Sequence, residues 1–348
     1  MPTPACTAAA TPISAPVTSE ARPGGEAPMT ASAPRIVALE EHYADPELLA
    51  EFGAEDLPPP PLRAQLLDLA EGRLRAMDEA GIELQVLSHT APATQKMEAA
   101  AAVRLARRAN DRLQRVVEAH PTRFAAFAIL PTPDPEAAAA ELERAVRGHG
   151  FKGAIVHGLT NGAFLDERRF WPILAAAEAL EVPIYLHPAQ PSPAVTAAYY
   201  QDYAADFPAL LRAGWGFTVE AATQAIRLVL SGALEAHPRL RLILGHMGEA
   251  LPFLLWRTDQ ALSRAGNRLL AFREAFARHF WVTTSGNFST PALLCTMLEL
   301  GLDRVLFSVD WPFVDNRAGV DWLRAAPLSE ADRAKVFAGN ACRLLGLG

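Results

Sequence analysis

Cysteine is scarce in this chain. The three thiols, Cys6, Cys295 and Cys342, are too few and too far apart for a disulfide framework, and a sparse, odd set suits a reducing cytoplasm. No CxxC pair occurs, which excludes a thiolate zinc site of the usual spacing. No stretch approaches the ~18 consecutive apolar residues of a membrane-spanning helix. No GxGxxG opens a helix, so the fingerprint of a doubly wound dinucleotide-binding sheet is missing. Positive charge is also in deficit: 32 Lys and Arg stand against 39 Asp and Glu, for a formal net charge of −7. Without a basic stripe, nucleic acid is a poor partner and a small molecule a better one.

What is present is an apolar chain, 50% hydrophobic and 348 residues long. That is enough for a large core, and an α/β barrel often uses ~250 residues or more in one domain. Residues 1–34 differ from the rest. They are rich in Ala, Pro, Thr and Ser, and they offer too little apolar surface to offset the entropy of ordering. They are expected to form a disordered tail. They lack the basic segment and apolar core of a secretory signal, and Met29 is a second candidate start. Residues 35–348 form the expected catalytic domain.

From Arg35 onward, short β-rich runs alternate with longer amphipathic segments. The strands expected are Ile36–Glu40, Leu84–Ser88, Phe124–Leu130, Gly153–His157, Val182–His187, Leu240–His246, Phe280–Thr284 and Arg304–Asp310. Helices are expected over Glu98–Ala119, Pro135–Gly148, Phe170–Leu180 and Val219–Ala236. Eight strands alternating with helices point to a parallel sheet, and eight is the number that closes a (β/α)₈ (TIM) barrel. Two long loops, Tyr43–Leu62 and Pro188–Thr218, leave the C-terminal ends of strands one and five, where barrel active sites lie. The second carries Tyr199, Tyr200, Tyr203, Trp215 and Phe217, either a substrate wall or packing beneath the loop.

The chemistry concentrates at those same strand ends. Strand one ends Leu39-Glu40-Glu41-His42, strand five Tyr185-Leu186-His187, strand six Leu244-Gly245-His246-Met247-Gly248-Glu249, and strand eight Ser308-Val309-Asp310. Side chains two apart on a strand share a side, so Glu40 and His42 converge while Glu41 points away. A lone His at a strand end is more often structural than a ligand, and a lone Asp more often a helix cap. Their repetition on one barrel face favours a metal site, and carboxylates with imidazoles suit Zn²⁺, Mn²⁺ or Fe²⁺. His157, ending strand four, faces the mouth and is a candidate substrate contact, as is Tyr43 at the start of the first loop. His89 lies on the functional side but reads as structural. His120, His149, His237 and His279 precede strands, on the opposite face.

The segments Ile36–His42 (IVALEEH), Val182–Pro188 (VPIYLHP), Leu244–Asp259 (LGHMGEALPFLLWRTD), Thr283–Phe288 (TTSGNF) and Val305–Phe313 (VLFSVDWPF) resemble the amidohydrolase-related (amidohydrolase 2) family. Within it they are most similar to the hydroxybenzoate decarboxylases that act on γ-resorcylate and 2,3-dihydroxybenzoate. The resemblance implies that Glu40, His42, His187 and Asp310 hold one divalent metal ion, Zn²⁺ or Mn²⁺. It implies a second catalytic pair in His246 and Glu249, a substrate-site residue in Arg257, and a homodimer or homotetramer. Glu-x-His at strand one is typical of the decarboxylase branch, where hydrolytic members carry His-x-His. A lysine bridging two metals would end strand four, but Lys152 begins it, which favours one ion.

The activity so implied is non-oxidative decarboxylation of an ortho-hydroxylated aromatic acid. Asp310 would protonate the ring carbon, on the expectation that burial beside other acids lets its carboxyl keep a proton. The alternatives are hydrolysis of a lactone, amide or ester through a metal-acidified water, and a barrel that binds a metal or small molecule without turnover.

Overall fold

The apolar runs become parallel strands buried on both faces, as the β-branched and aromatic content of such runs requires. The structure, a computed structural model, describes residues 34–268 and 270–348; the expected tail, Met29 and Cys6 lie outside them. The strands are β1 (Val37–Tyr43), β2 (Leu84–His89), β3 (Phe124–Ala126 continuing as Ala128–Ile129), β4 (Ala154–His157), β5 (Pro183–His187), β6 (Arg241–Leu244), β7 (Phe280–Thr283) and β8 (Val305–Leu306). They pair in sequence order, all parallel. The two halves of β3 flank Phe127, whose N–H donates to Leu87 O at 2.9 Å while Ala128 N–H donates to Gly153 O at 2.8 Å, so β3 joins the two sheets. Sequential parallel strands with intervening helices are the (β/α)₈ architecture.

The helices follow their caps. Ala99–Ala119 starts at Glu98, whose side chain accepts from Ala101 N, and Pro135–His149 starts at Asp134 with proline at its first turn and ends at left-handed Gly150. The expected Val219–Ala236 helix divides into Gly216–Leu230 and Ala233–Ala236 at Gly232 (φ 87°). Val37, Leu39, Val86, Phe127, Ile155, Tyr185, Ile243 and Leu306 fill the barrel interior, while a larger cluster lies between strands and helices.

Two expected strand ends are shorter than the sequence suggests. β6 stops at Leu244, because the chain turns left-handed from His246 to Ala250. The apolar run Phe307–Asp310 leaves the ladder after Leu306 because its N–H groups are taken elsewhere. Phe307 N–H donates to Val336 O at 3.1 Å, Ser308 N–H to Thr284 Oγ1 at 2.9 Å and Val309 N–H to Glu41 Oε1 at 2.8 Å. No ladder runs from β8 to β1 among the described residues. His42 N–H instead donates to Trp311 O at 2.7 Å and Glu40 N–H to Ser308 Oγ at 2.6 Å.

Candidate metal centre and active site

β1 and β5 deliver three of the four expected ligands. The register of β1 against β2 slips between Ala38 and Glu41, a bulge that re-aims side chains as bulges near active sites do. Glu40 and His42 still converge, with Glu40 Oε1 3.8 Å from His42 Nε2 and 3.2 Å from His187 Nε2. Asp310, carried just past β8, brings Oδ1 to 3.1 Å from His42 Nε2. One donor atom from each of Glu40, His42, His187 and Asp310 lies within 4.8 Å of all the others.

This donor set fits a divalent cation. Glu40 Oε1 and His42 Nε2 are fully buried, and neither has a hydrogen-bond partner. Orphaned buried polar atoms cost too much to be accidental, and here they face one another. Glu40 and His187 are oriented from behind. Glu40 Oε2 accepts short hydrogen bonds from Tyr185 Oη and Ser285 Oγ. His187 Nδ1–H donates to Pro188 O at 2.6 Å, which leaves its Nε2 lone pair aimed at Glu40 Oε1. His157 Nδ1 lies 2.9 Å from His187 Nδ1. Such outer partners fix the tautomer and direction of ligands.

His246 and Glu249 come from a single left-handed turn. His246, Met247, Gly248, Glu249 and Ala250 have φ of 49°, 59°, 77°, 50° and 61°. For L-residues this conformation costs about 1–2 kcal/mol each, so the surroundings must hold it. Gly248 N–H donates to Gly245 O at 2.7 Å, Asn287 Nδ2 donates to His246 O at 3.3 Å, and Met247 is buried. The turn sets His246 Nδ1 2.6 Å from Glu249 Oε1 and points Nε2 toward Asp310 Oδ2 at 3.9 Å and Glu40 Oε1 at 3.7 Å.

The electrostatics follow from this packing. Burial disfavours the charged form of Glu40, but His246, His187 and His42 outweigh it and hold the carboxyl well below the usual range. Burial would lower His42, yet Asp310 and Glu40 raise it to about 9. His246 is raised well above its ordinary value against the same burial, chiefly by Glu249 and Glu40. Asp310 corrects an expectation. Burial does push its carboxyl up, but the neighbouring His246 and His42 imidazoles prevail and lower it.

Asp310, His246 and His187 form the floor of a cavity of about 810 Å³, with Trp215, Phe217 and Phe313 among its walls. Arg212 Nη2 donates to Glu55 O at 2.7 Å, tying together the loops after β5 and β1 at the cavity's rim. Of the other loop aromatics, Tyr199 and Tyr203 are exposed and Tyr200 is buried.

Three sequence-based candidates do not reach this cavity. Tyr43 follows His42 on a strand, so it faces the opposite side, where it is buried edge-on against His89 at 5.2 Å. Arg257 lies on the exposed side of the helix Leu251–Leu262 and is not among the cavity-lining residues. His157 sits fully buried behind His187, a support rather than a wall. His89 is structural: its Nε2 accepts from Asp45 N at 2.9 Å. His149, His237 and His279 contact Asp111, Glu178 and Leu240 O, away from the site. The sequence reading missed Tyr185, which alternation from His187 would have placed on the interior side, and Ser285.

A parallel eight-stranded α/β fold with a buried carboxylate–imidazole cluster at its C-terminal mouth defines a metal-dependent barrel of the amidohydrolase class. Residues 37–347 match the family model Amidohydro_2, described as amidohydrolase, and the chain belongs to that family. It is 43% identical over 325 residues to the γ-resorcylate decarboxylase of a Polaromonas species, spanning 89% of this chain and 98% of the relative. Among solved structures it resembles a 2,6-dihydroxybenzoate decarboxylase complexed with 2,6-dihydroxybenzoate, with TM-score 0.82, 41% identity and coverage of 90% and 100% of the two chains. A dihydroxybenzoic acid decarboxylase from Polaromonas with bound manganese and the inhibitor 2-nitroresorcinol gives TM-score 0.82 and 42% identity, covering 90% of this chain and 98% of that one.

Proposed function

We propose that this protein is a carbon–carbon lyase, a metal-dependent non-oxidative decarboxylase of an ortho-hydroxylated aromatic acid. The carrying observation is the four-donor cluster at the cavity floor with the His246–Glu249 pair directed at Asp310. The decarboxylases at 41–43% identity support the same reading.

When bound, a divalent ion supplies Lewis-acid and template chemistry, orienting the substrate's carboxylate and neighbouring hydroxyl. Glu40, His42, His187 and Asp310 hold it. Trp215, Phe217 and Phe313 present apolar faces to the ring and exclude water. Asp310 lines the cavity and delivers a proton to the ring carbon that bears the carboxylate. The C–C bond to that carboxylate then breaks, its electron pair restores the aromatic ring, and CO₂ departs. His246 recharges Asp310, and Glu249 keeps the imidazole protonated between turnovers. The balance is one arylcarboxylate and one proton in, one arene and one CO₂ out.

Of the two ions that a set of two carboxylate oxygens and two imidazole nitrogens accepts, Zn²⁺ and Mn²⁺, the reading takes Mn²⁺ on the manganese in the related structure. The free thiols Cys295 and Cys342 fit a reducing cytoplasm. Exposed Phe253, Trp256 and Leu298, on the adjacent helices Leu251–Leu262 and Thr290–Leu300, fit the interface of a homodimer. The test is CO₂ release from 2,6-dihydroxybenzoate against benzoate, which lacks the ortho hydroxyl, with metal content measured on the same protein. Release from the first alone is expected. Ester or lactone turnover without CO₂ would overturn the reading.

A further inference from the structure

Glu41 is the acidic neighbour of two ligands, points away from the cluster, and is nonetheless fully buried. Its two oxygens are both occupied. Oε1 accepts from Val309 N–H at 2.8 Å and Ser308 Oγ at 3.2 Å; Oε2 accepts from Trp311 N–H at 3.2 Å and Gln85 Nε2 at 3.4 Å. The two backbone donors are the residues immediately before and after Asp310. Asp310 itself has φ 74°, a left-handed conformation unusual for a non-glycine residue and characteristic of strained functional positions.

The rest of the network braces Glu41. Arg73 is fully buried, donates to Gln85 Oε1 at 3.0 Å, makes a short hydrogen bond to His42 O and lays its guanidinium 4.1 Å from the Trp311 ring centroid. A buried carboxyl group with four donors and a nearby guanidinium, pushed up by burial to about 8, is an expensive arrangement to keep for packing alone, since an apolar side chain would fill the space at less cost. Its geometry grips one peptide segment from both sides.

We propose that Glu41 is a positioning residue that clamps residues 309 and 311, and thereby fixes Asp310 in the left-handed conformation that brings its carboxylate to His42 and His246. Val309–Trp311 have left the β8 ladder, so no sheet register sets Asp310; the Glu41 carboxyl group does so, beside the one bond from His42 N–H to Trp311 O. The proposal rests on the reading of Asp310 as the proton donor.

Steady-state kinetics, manganese titration and crystal structures of Glu41→Gln, Glu41→Ala and Asp310→Asn test it. Glu41→Gln keeps an acceptor for Val309 but turns an NH₂ toward Trp311 N–H. It is expected to fold, bind one Mn²⁺ per chain, lower kcat about 10- to 100-fold with KM little changed, and show Asp310 moved out of the left-handed region. Glu41→Ala is expected to lose more, and Glu41→Gln covers the case in which Glu41→Ala does not fold. Wild-type kcat in Glu41→Gln, or an unmoved Asp310 in its crystal structure, would overturn the clamp. Near-wild-type turnover in Asp310→Asn would instead overturn the role of Asp310, so the two failures are distinguishable.

Discussion

Adding one methyl group to Gly248 is a sharp perturbation of the active-site turn. Gly248 has φ 77° and ψ 26°, where an L-side chain costs about 1–2 kcal/mol. Its Cβ would stand 2.9 Å from Pro252 Cδ and Cγ and 3.0 Å from Val282 Cγ1. These are a rigid ring and a buried strand residue, so overpacking adds about 1–3 kcal/mol. The sum, about 2–5 kcal/mol, lowers Tm by about 4–10 °C at roughly 2 °C per kcal/mol for a barrel of this size. The turn must shift to relieve the clash, which carries His246 and Glu249 with it, and a displacement near 1 Å costs about 100-fold in kcat. The control is Gly150→Ala. Gly150 has φ 71° and ψ 19°, nearly the same conformation, at a helix C-terminus with nothing within 4 Å of an added Cβ. It should lose only about 2–4 °C, by the same conversion, with kcat unchanged. Scanning calorimetry and steady-state kinetics read both variants. Equal Tm losses and equal kcat in the two would refute the steric argument and the rigidity of the turn.

Asp310→Asn should cut kcat by about 10²–10⁴-fold, the usual contribution of a positioned acid; less than a tenfold loss would remove Asp310 from that role. Tyr185→Phe deletes a buried donor to Glu40 Oε2 and should weaken Mn²⁺ affinity about 10- to 100-fold, checked by titration calorimetry. Glu40→Gln should lose the metal where Glu41→Gln keeps it, since only the first presents an oxygen to the cluster; equal loss by elemental analysis would contradict the strand register. In the metal-free protein His42 titrates near 9, so at pH 7.5 it is charged and must shed its proton to coordinate. Mn²⁺ uptake should therefore release protons below that pH, with affinity rising as pH increases toward it. Calorimetry in buffers of different ionisation enthalpy would show this, and a buffer-independent heat would count against it.

The sequence announced β4, β5 and β7 to within a residue at each end, because each is a compact apolar run with polar or turn residues at its borders. The four-residue cluster was also visible, since Glu40, His42, His187 and Asp310 close the apolar runs expected as strands one, five and eight. The end of β8 was not legible. Phe307–Asp310 has the composition of a strand, but its N–H groups go to Val336 O, Thr284 Oγ1 and Glu41, partners remote in sequence. The left-handed turn at 246–250 left only Gly248 as a local signal, because tertiary packing imposes it on four residues that would not choose it. The balance at Asp310 was not legible, because the residues that flank its carboxyl could be named from the sequence but not their distances, and these decide whether burial or the imidazoles prevail. Arg257 and Tyr43 lie off the cavity for a simpler reason: one occupies the outer side of a helix, and the other the far side of a strand.

Among the described residues the first and last strands of the barrel meet without a ladder, and that seam runs through the four-donor cluster. Glu40 and His42 stand on one lip, and Asp310 on the other. On the proposed reading, a cation held there would act as a clasp that fastens the beginning of the domain to its end. At a thousandfold excess over its dissociation constant, a ligand specific for the folded state contributes about 4 kcal/mol. Chelation should therefore loosen the barrel at this seam first, with hydrogen exchange rising at Glu40–His42 and Val309–Trp311 before it rises at the midpoint of the sheet.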